Sequence, residues 1–169
     1  VGELAESWEA SPDAKIWTFN LRKGVKFHNG KSFGADDVIA SMNMHVEEDA
    51  RSAAKPIVAS VEEMKKLSDH QVQFTLKSGS ADFPYLVSDY HICMFPAGQI
   101  ADAIANGIGT GPYKVVAFEP GVRAMVTKFD GHWDADNRGY FAEVEQIFIG
   151  DASARINAIM TSQVDAINR

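Results

Sequence analysis

Two pairs of carboxylates lie close together in the sequence and have the residue types that acid–base chemistry needs. Asp36 is followed by Asp37, and one residue separates Asp134 from Asp136. Paired Asp or Glu side chains hydrolyse glycosidic bonds when they flank the substrate. The first pair, however, opens a predicted helix, where the helix dipole favours negative charge, and the second pair lies in a polar loop. We therefore interpret both pairs as structural.

The histidines do not form a metal-binding pattern. They are His28, His45, His70, His91 and His132. A preassembled zinc site shows short spacings such as i, i+4, which are missing here. His28 lies beside one predicted hairpin turn and His70 within another, which favours a solvated polar role for both. The sequence therefore predicts neither a bound metal nor a cofactor.

Cys93 is the single cysteine of the chain. One thiol cannot form an internal disulfide or a thiolate metal site. The neighbouring Ile92 and Met94 predict an apolar strand in which Cys93 is a small core residue. Catalysis by the thiol would need an activating histidine, and His91 would lie on the same strand face. That alternative stays open.

Three glycines and a proline crowd the segment from Gly107 through Gly109 and Gly111 to Pro112. A dinucleotide fingerprint requires a helix after the last glycine, whereas here a proline and a predicted strand follow. The backbone must turn sharply or pass close to another group at this point. We therefore interpret Gly109, Gly111 and Pro112 as a boundary or hinge between two lobes.

Charge and hydropathy argue against two classes of partner. The 16 basic and 23 acidic residues give a net charge of -7, which repels phosphate backbones, so no nucleic acid is expected. No apolar run approaches the roughly 18 residues that span a bilayer. The first residues do not resemble a signal peptide. Because mature secreted proteins have lost that peptide, these features do not decide between cytoplasm and periplasm.

The hydrophobic pattern predicts a mixed α/β chain without repeats or linkers. Residues 16–21 and 71–76 alternate as half-buried strands, and a helix begins after Gly34 with a buried stripe that includes Val38, Met42 and Val46. The remaining predicted elements are a short strand at 25–27, a strand at 58–67, a helix at 82–88, a strand through 94, a helix at 100–104, strands at 113–118, 123–129 and 144–149, and a helix at 153–161.

Residues 17–30, Trp-Thr-Phe-Asn-Leu-Arg-Lys-Gly-Val-Lys-Phe-His-Asn-Gly, closely resemble the signature of the family 5 bacterial extracellular solute-binding proteins. The resemblance also takes in residues 4–9, the Gly-Thr-Gly-Pro-Tyr-Lys motif at 109–114 and the closing segment 154–167, so it covers essentially the whole chain. Ala14 and Ser162 stand where the family commonly has glycine, and Gly34 stands where a Ser or Thr helix cap is common. These are surface or cap positions and leave the assignment intact.

The resemblance implies a periplasmic binding protein-like II fold of the mixed α/β class. Residues 1–108 would form a small family-specific lobe, and residues 109–169 would begin one ligand-binding lobe. Family members are several times longer, so the chain resembles a fragment without the C-terminal lobe. The resemblance further implies a periplasmic, non-enzymatic protein that captures a dipeptide or oligopeptide, without a cofactor, and delivers it to an ABC permease. We also expect self-association through apolar surface that the absent lobe leaves bare.

The resemblance places a few residues toward the ligand cleft. They are Arg51, Asp89, Tyr90, His91 and Asn168. A guanidinium pairs with a ligand carboxylate, and an aromatic face covers an apolar group, so Arg51 and Tyr90 are the preferred contacts. A nickel chelate, an opine or an oligosaccharide remains an alternative cargo, and an unrecognised small enzyme that uses Arg51, Asp89 and His91 is an alternative of another class.

Overall fold

The first half of the chain forms a four-stranded antiparallel sheet, in a computed structural model that describes residues 2–168. Its strands are β1 (Ala5–Ala10), β2 (Ile16–Leu21), β3 (Val61–Ser68) and β4 (Gln71–Leu76). The spatial order is β1-β2-β4-β3, so β1 and β3 are the edges. Two hairpins that are distant in sequence are therefore joined through the pairing of β2 with β4.

Alternation along β2 and β4 decides which face of this sheet is buried. The buried set is Trp17, Phe19 and Leu21 of β2 with Val72, Phe74 and Leu76 of β4. The rings of Phe19 and Phe74 meet edge to face with their centroids 5.5 Å apart, an arrangement that aromatic quadrupoles favour. The strands predicted at residues 16–21 and 71–76 are confirmed.

Helix α1 (Ala35–Asn43) packs against β3 and β4 and has a buried carboxylate, that of Asp37, in its first turn. Asp37 is 3% exposed. Its side chain accepts hydrogen bonds from the Gly34 backbone N–H at 2.8 Å, the Ala97 backbone N–H at 2.7 Å and the Lys31 ammonium at 2.7 Å. The predicted helix start is confirmed, but the extension of its buried stripe to Val46 is wrong, because the helix ends at Asn43 and Val46 is exposed.

Three more helices of four to seven residues precede residue 107. They are α2 (Lys55–Val58), α3 (Phe83–Leu86) and α4 (Ile100–Asn106). Helix α4 ends at Gly107, whose φ of +63° lies in the left-handed region that glycine tolerates. A Cβ at this position would approach Val115 Cγ2 to 2.8 Å, so Gly107 is needed both for the turn and for space.

A second, three-stranded antiparallel sheet follows the glycine segment in the order β5-β6-β7. Its strands are β5 (Tyr113–Glu119), β6 (Arg123–Lys128) and β7 (Glu143–Ile147), and helix α5 (Ala152–Met160) comes after them. The Asp151 carboxylate accepts from the Ala154 backbone N–H at 2.8 Å and caps this helix. Between residues 2 and 168 no strand of one sheet pairs with a strand of the other.

Large apolar side chains of the second sheet and its flanks remain exposed. They are Val115, Val116, Phe118, Val122, Val144, Ile147, Phe148 and Ile156. Ala158 is the one buried residue of α5, and Ile156 is 50% exposed. Soluble monomers rarely expose apolar patches of more than a few hundred Å². These side chains form the apolar surface through which we expect the chain to self-associate.

Two predicted strands are wrong. Residues 25–27 form only a single bridge, Lys26 to Ser32. Residues 88–94 form turns and irregular backbone, and Cys93, predicted to be buried, is exposed. The Asp89 side chain accepts the backbone N–H of His91 at 2.9 Å, and such local side-chain bonds compete with strand pairing. His91 and Cys93 therefore do not share a strand face.

Candidate ligand-binding surface

The segment that follows α3 is organised by the carboxylate of Asp89. Its Oδ1 accepts both the backbone N–H of His91 at 2.9 Å and the imidazole Nδ1 of His91 at 2.7 Å. These two hydrogen bonds, the backbone one first, hold the pKa of Asp89 below its usual value. The turn therefore carries an ionised carboxylate that fixes the orientation of the neighbouring imidazole.

Tyr90 lies on this turn with 81% of its surface exposed. Its ring centroid is 3.9 Å from that of His91, and the two planes are inclined by 34°. The imidazole thus supports one face of the phenol ring and leaves the other face open to solvent. An ordered and exposed aromatic face is suited to covering the apolar part of a small solute.

The loop that carries Arg51 is hydrogen-bonded to a buried histidine in the turn that follows helix α1. His45 Nδ1 and Ser52 Oγ are hydrogen-bonded, and His45 is 5% exposed. Burial lowers the pKa of His45, and the charge of His91 lowers it further. The hydrogen bond between His45 and Ser52 thus fixes the start of the loop that follows Arg51.

Arg51 and Asn168, two of the predicted ligand contacts, are both exposed. Arg51 precedes Ser52, whose hydroxyl is hydrogen-bonded to His45. Its guanidinium has no hydrogen bond or ion pair within residues 2–168, so it is available to a ligand. Asn168 lies beyond α5, and no hydrogen bond in the described chain joins it to the other predicted contacts.

The predicted lobe boundary is held by a residue whose role the sequence did not reveal. His28 Nε2 lies 2.9 Å from the Gly111 carbonyl oxygen, and the Gly109 backbone N–H donates to His28 Nδ1 at 3.2 Å. Together these contacts fit an imidazole protonated at Nε2. The His28 backbone N–H also donates to the Gly109 carbonyl at 2.9 Å, and Phe129 meets the ring edge to face at 5.1 Å.

The solvated role predicted for His28 is therefore wrong. Its partners lie some eighty residues further along the chain, and no local spacing signals a contact of that range. The one relevant hint is that a histidine and a glycine-rich turn occur in the same sequence, which is too common to identify a pair. Gly109 and Gly111 are thus both hydrogen-bonded to His28, these bonds form a strap at the predicted lobe boundary, and Pro112 follows them in the chain.

Across residues 2–168 no three or more His, Cys, Asp or Glu side chains are grouped so that they could hold a metal ion. Asp89 and His91 are each about one third exposed, with side-chain values of 35% and 38%. In the same range, no helix has the length and apolar composition needed to cross a bilayer.

Comparison with known proteins decides the family. The model of the bacterial extracellular solute-binding proteins, family 5 Middle, matches residues 1–169. The chain belongs to this family. The dipeptide-binding protein of Escherichia coli K12 is 33% identical over 158 residues, and the match covers 77% of this chain and 29% of that protein. The nickel-binding periplasmic protein of the same organism is 27% identical, with 97% of this chain and 32% of that protein covered.

Solved family 5 structures have the same fold. The periplasmic binding protein AgaA of A. tumefaciens R10, determined with agropinic acid, superposes with a TM-score of 0.88 and 30% sequence identity over 96% of this chain. The match covers 33% of the AgaA chain. The chain thus spans about a third of the length of the family 5 proteins it matches, which agrees with a partial periplasmic binding protein fold.

Proposed function

We propose that this chain is part of the solute-binding component of an ABC importer, and that the whole protein captures dipeptides or oligopeptides. The match of the family 5 model to all 169 residues carries the proposal. The similarity to a dipeptide-binding protein favours peptides among the family's cargoes. Binding energy would come from closure of two lobes around the ligand, without bond making.

Residues 1–108 are the proposed small family-specific lobe and residues 109–169 the proposed beginning of one ligand-binding lobe, with Gly109, Gly111 and Pro112 at the boundary. Each range contains one of the two sheets in the described residues, which supports this division. Hinge closure needs a few residues that absorb changes in φ and ψ, and glycine provides this freedom. The hydrogen bonds of His28 to Gly109 and Gly111 would restrict the movement to the residues around this strap.

The proposed peptide contacts follow from the chemistry of the exposed side chains. Tyr90 would cover an apolar side chain of the peptide with its open face, while Asp89 and His91 hold the ring in place. Arg51 would pair with a peptide carboxylate through two parallel hydrogen bonds. The amide of Asn168 would reach the floor of the cleft once the remainder of the longer protein is present.

Three other cargoes and one other class of function remain alternatives. The names of relatives favour a nickel chelate and an opine-type acid, because one relative is a nickel-binding protein and AgaA was determined with agropinic acid. An oligosaccharide and an unrecognised enzyme have no such support. An enzyme would be expected to place a strongly shifted titratable group in a closed pocket, whereas Asp89 and His91 are on an open surface.

The proposed location is the periplasm, and the proposed partners are a small solute and the permease of an ABC importer. The family description as extracellular and the periplasmic relatives support this location. A net charge of -7 gives no electrostatic reason to bind nucleic acid. The absence of a cofactor, of bound metal and of catalysis remains an expectation.

The proposal is tested by thermal-shift and calorimetric titration of the whole protein with dipeptides, longer peptides, nickel chelates and opines, with this chain measured in parallel. We expect peptides to stabilise the whole protein and to have little effect on the isolated chain, since half a cleft binds weakly. In the whole protein, Tyr90→Ala should weaken peptide binding about tenfold, the loss of one buried aromatic contact. Tyr85→Ala is the matched control, because Tyr85 is also 81% exposed.

Stabilisation by opines or nickel chelates instead of peptides would replace the proposed cargo. Turnover of any compound in the panel would contradict the transport function itself. Equal peptide affinity of the Tyr90 and Tyr85 variants would remove Tyr90 from the site and leave the cargo assignment unaffected.

A further inference from the structure

A second site candidate is an apolar cavity of about 320 Å³ inside the first unit, the part of the chain from residue 2 to 108. It lies between the core face of the first sheet and the segments that cover that face. All but three of its lining residues are apolar. The residues used in the argument are Leu4, Trp8, Phe19, Met42, Val87 and Ile92. Small-molecule pockets in proteins have volumes of roughly 300–1,000 Å³ and are mostly apolar, so the cavity is large enough for a small ligand.

The cavity exists because the helical cover stops short of the sheet edge. Helix α1 packs on β3 and β4, while β1 is the opposite edge. Trp8 of β1 pairs in register with Phe19 of β2, so the two side chains lie on the same, core-facing side of the sheet. Phe19 is 7% exposed, yet Trp8 is 41% exposed. A tryptophan that points into the core side but remains accessible marks the mouth of the cavity.

The polar residues of the lining are Glu3, Ser88 and Asp89, and no basic residue lines the cavity. Asp89 is held as a carboxylate by two hydrogen bonds from His91. Glu3 pairs with Arg138 at 2.6 Å through one oxygen, and 56% of its side chain is exposed. An apolar interior with two carboxylates at its margin is complementary to a molecule with an apolar body and a positive charge.

We propose that this cavity binds a small hydrophobic amine, with its aromatic or branched aliphatic body inside and its ammonium group at the mouth. The body contacts Phe19, Met42 and Ile92, which form the floor and wall. The ammonium group lies between the Asp89 carboxylate and the face of Trp8, where a cation–π interaction adds to the ion pair. Carboxylic acids of the same shape bind more weakly, because their charge meets the Asp89 carboxylate and no basic residue lines the cavity.

This site goes beyond the proposed capture of peptides, since it lies within the first unit and needs no second lobe. The isolated chain is therefore sufficient for its test. Because whole-protein peptide titration is a separate experiment, failure of one proposal does not imply failure of the other.

The test titrates the chain with 2-(2-naphthyl)ethylamine at pH 7 and follows amide chemical shifts by NMR and heat by calorimetry. The neutral control is 2-(2-naphthyl)ethanol, and the anionic control is 2-naphthylacetate. A ligand of this size in an open apolar cavity is expected to bind with a Kd on the order of 0.1–1 mM. The alcohol should bind about threefold more weakly and the acid about tenfold more weakly.

Two variants and a control locate the binding. Val87→Phe fills the cavity and should weaken amine binding at least about tenfold. Asp89→Asn keeps the shape, and should weaken the amine about threefold while leaving the alcohol unchanged. Tyr85→Ala removes an exposed aromatic residue that does not line the cavity and should leave binding unchanged.

Should Val87→Phe fail to fold, as judged by circular dichroism, Ala5→Leu replaces it, because Ala5 also lines the cavity. Chemical-shift changes confined to the lining residues and lost in the filled variant would support the proposal. No binding of the amine, unchanged binding to the filled variant, or equal binding of the alcohol and the amine would overturn it.

Discussion

Replacing His28 by alanine should loosen the strap between the two sheets and destabilise the chain. The substitution removes the hydrogen bonds of the ring to Gly111 O at 2.9 Å and from Gly109 N–H at 3.2 Å, together with the edge-to-face contact with Phe129. The backbone hydrogen bond from His28 to Gly109 is retained. The perturbation is therefore confined to one half-buried imidazole.

The expected loss is about 2–3 kcal/mol of unfolding free energy. Each neutral hydrogen bond contributes about 0.5–1.5 kcal/mol net, and an aromatic pair contributes about 0.5–1.5 kcal/mol beyond its area. Half exposure of His28 favours the lower part of the summed range, since water replaces some of the lost bonds. His28→Phe keeps the ring against Phe129 but removes both side-chain bonds, so it should lose about 1–2 kcal/mol.

Urea denaturation followed by tryptophan fluorescence measures these changes, with His70→Ala as the control. His70 lies in a turn, and its side chain has no hydrogen bond within residues 2–168. Its replacement should change the unfolding free energy by no more than about 0.5 kcal/mol. If His28→Ala is as stable as His70→Ala, the strap contributes nothing and the reasoning is refuted.

Four further predictions concern stability and association. Asp37→Ala should cost about 3 kcal/mol in urea denaturation, because Lys31 and two backbone donors lose a buried partner, whereas exposed Asp36→Ala should cost less than about 1 kcal/mol. Burial keeps the pKa of His45 below its usual value of 6.5, so below about pH 6.5 the unfolded chain binds more protons than the folded chain and stability falls as the pH drops. His45→Gln should make the urea midpoint less dependent on pH between 7.5 and 5.5. An unchanged pH dependence of the midpoint would contradict this. Ala14 has a φ of +52°, so Ala14→Gly should raise the thermal midpoint, by about 0.5–1 kcal/mol in free energy, and a lower midpoint would show that the turn is not strained. The chain should self-associate in sedimentation velocity near 100 µM, and Phe118→Lys should shift it toward monomer; a monomeric parent chain would disprove the association.

The regular strands were predictable because their burial follows a local period. Trp17, Phe19 and Leu21 alternate with half-buried polar residues, and the structure buries these three. Helix α1 was predictable at its start, where Gly34 and two acidic residues precede the apolar stripe. Ala14 and Ser162, noted as departures from common glycines, both have positive φ angles, 52° and 56°. Both turns thus have the backbone conformation that glycine favours, although the residue present adopts it with strain.

The candidate surface was predictable only in part, because its geometry depends on hydrogen bonds that do not follow a period. The apolar residues around Cys93 predicted a strand, but the Asp89 side chain captured the backbone N–H of His91 and made a turn. The role of His28 depends on contacts with Gly109 and Gly111 that only the tertiary fold creates. The cavity beside Trp8 depends on how far the helices extend over the first sheet, which the periodicity of the strands does not predict.

The exposed thiol of Cys93 makes this surface directly observable. It is the single cysteine of the chain, and its Sγ lies 3.5 Å from the carbonyl oxygen of Tyr90. A maleimide-linked fluorophore would attach at one defined position without mutagenesis, next to the proposed aromatic contact and close to the cavity. Changes in its emission would report occupation of either proposed site in real time, so the labelled chain can serve as a reagentless sensor.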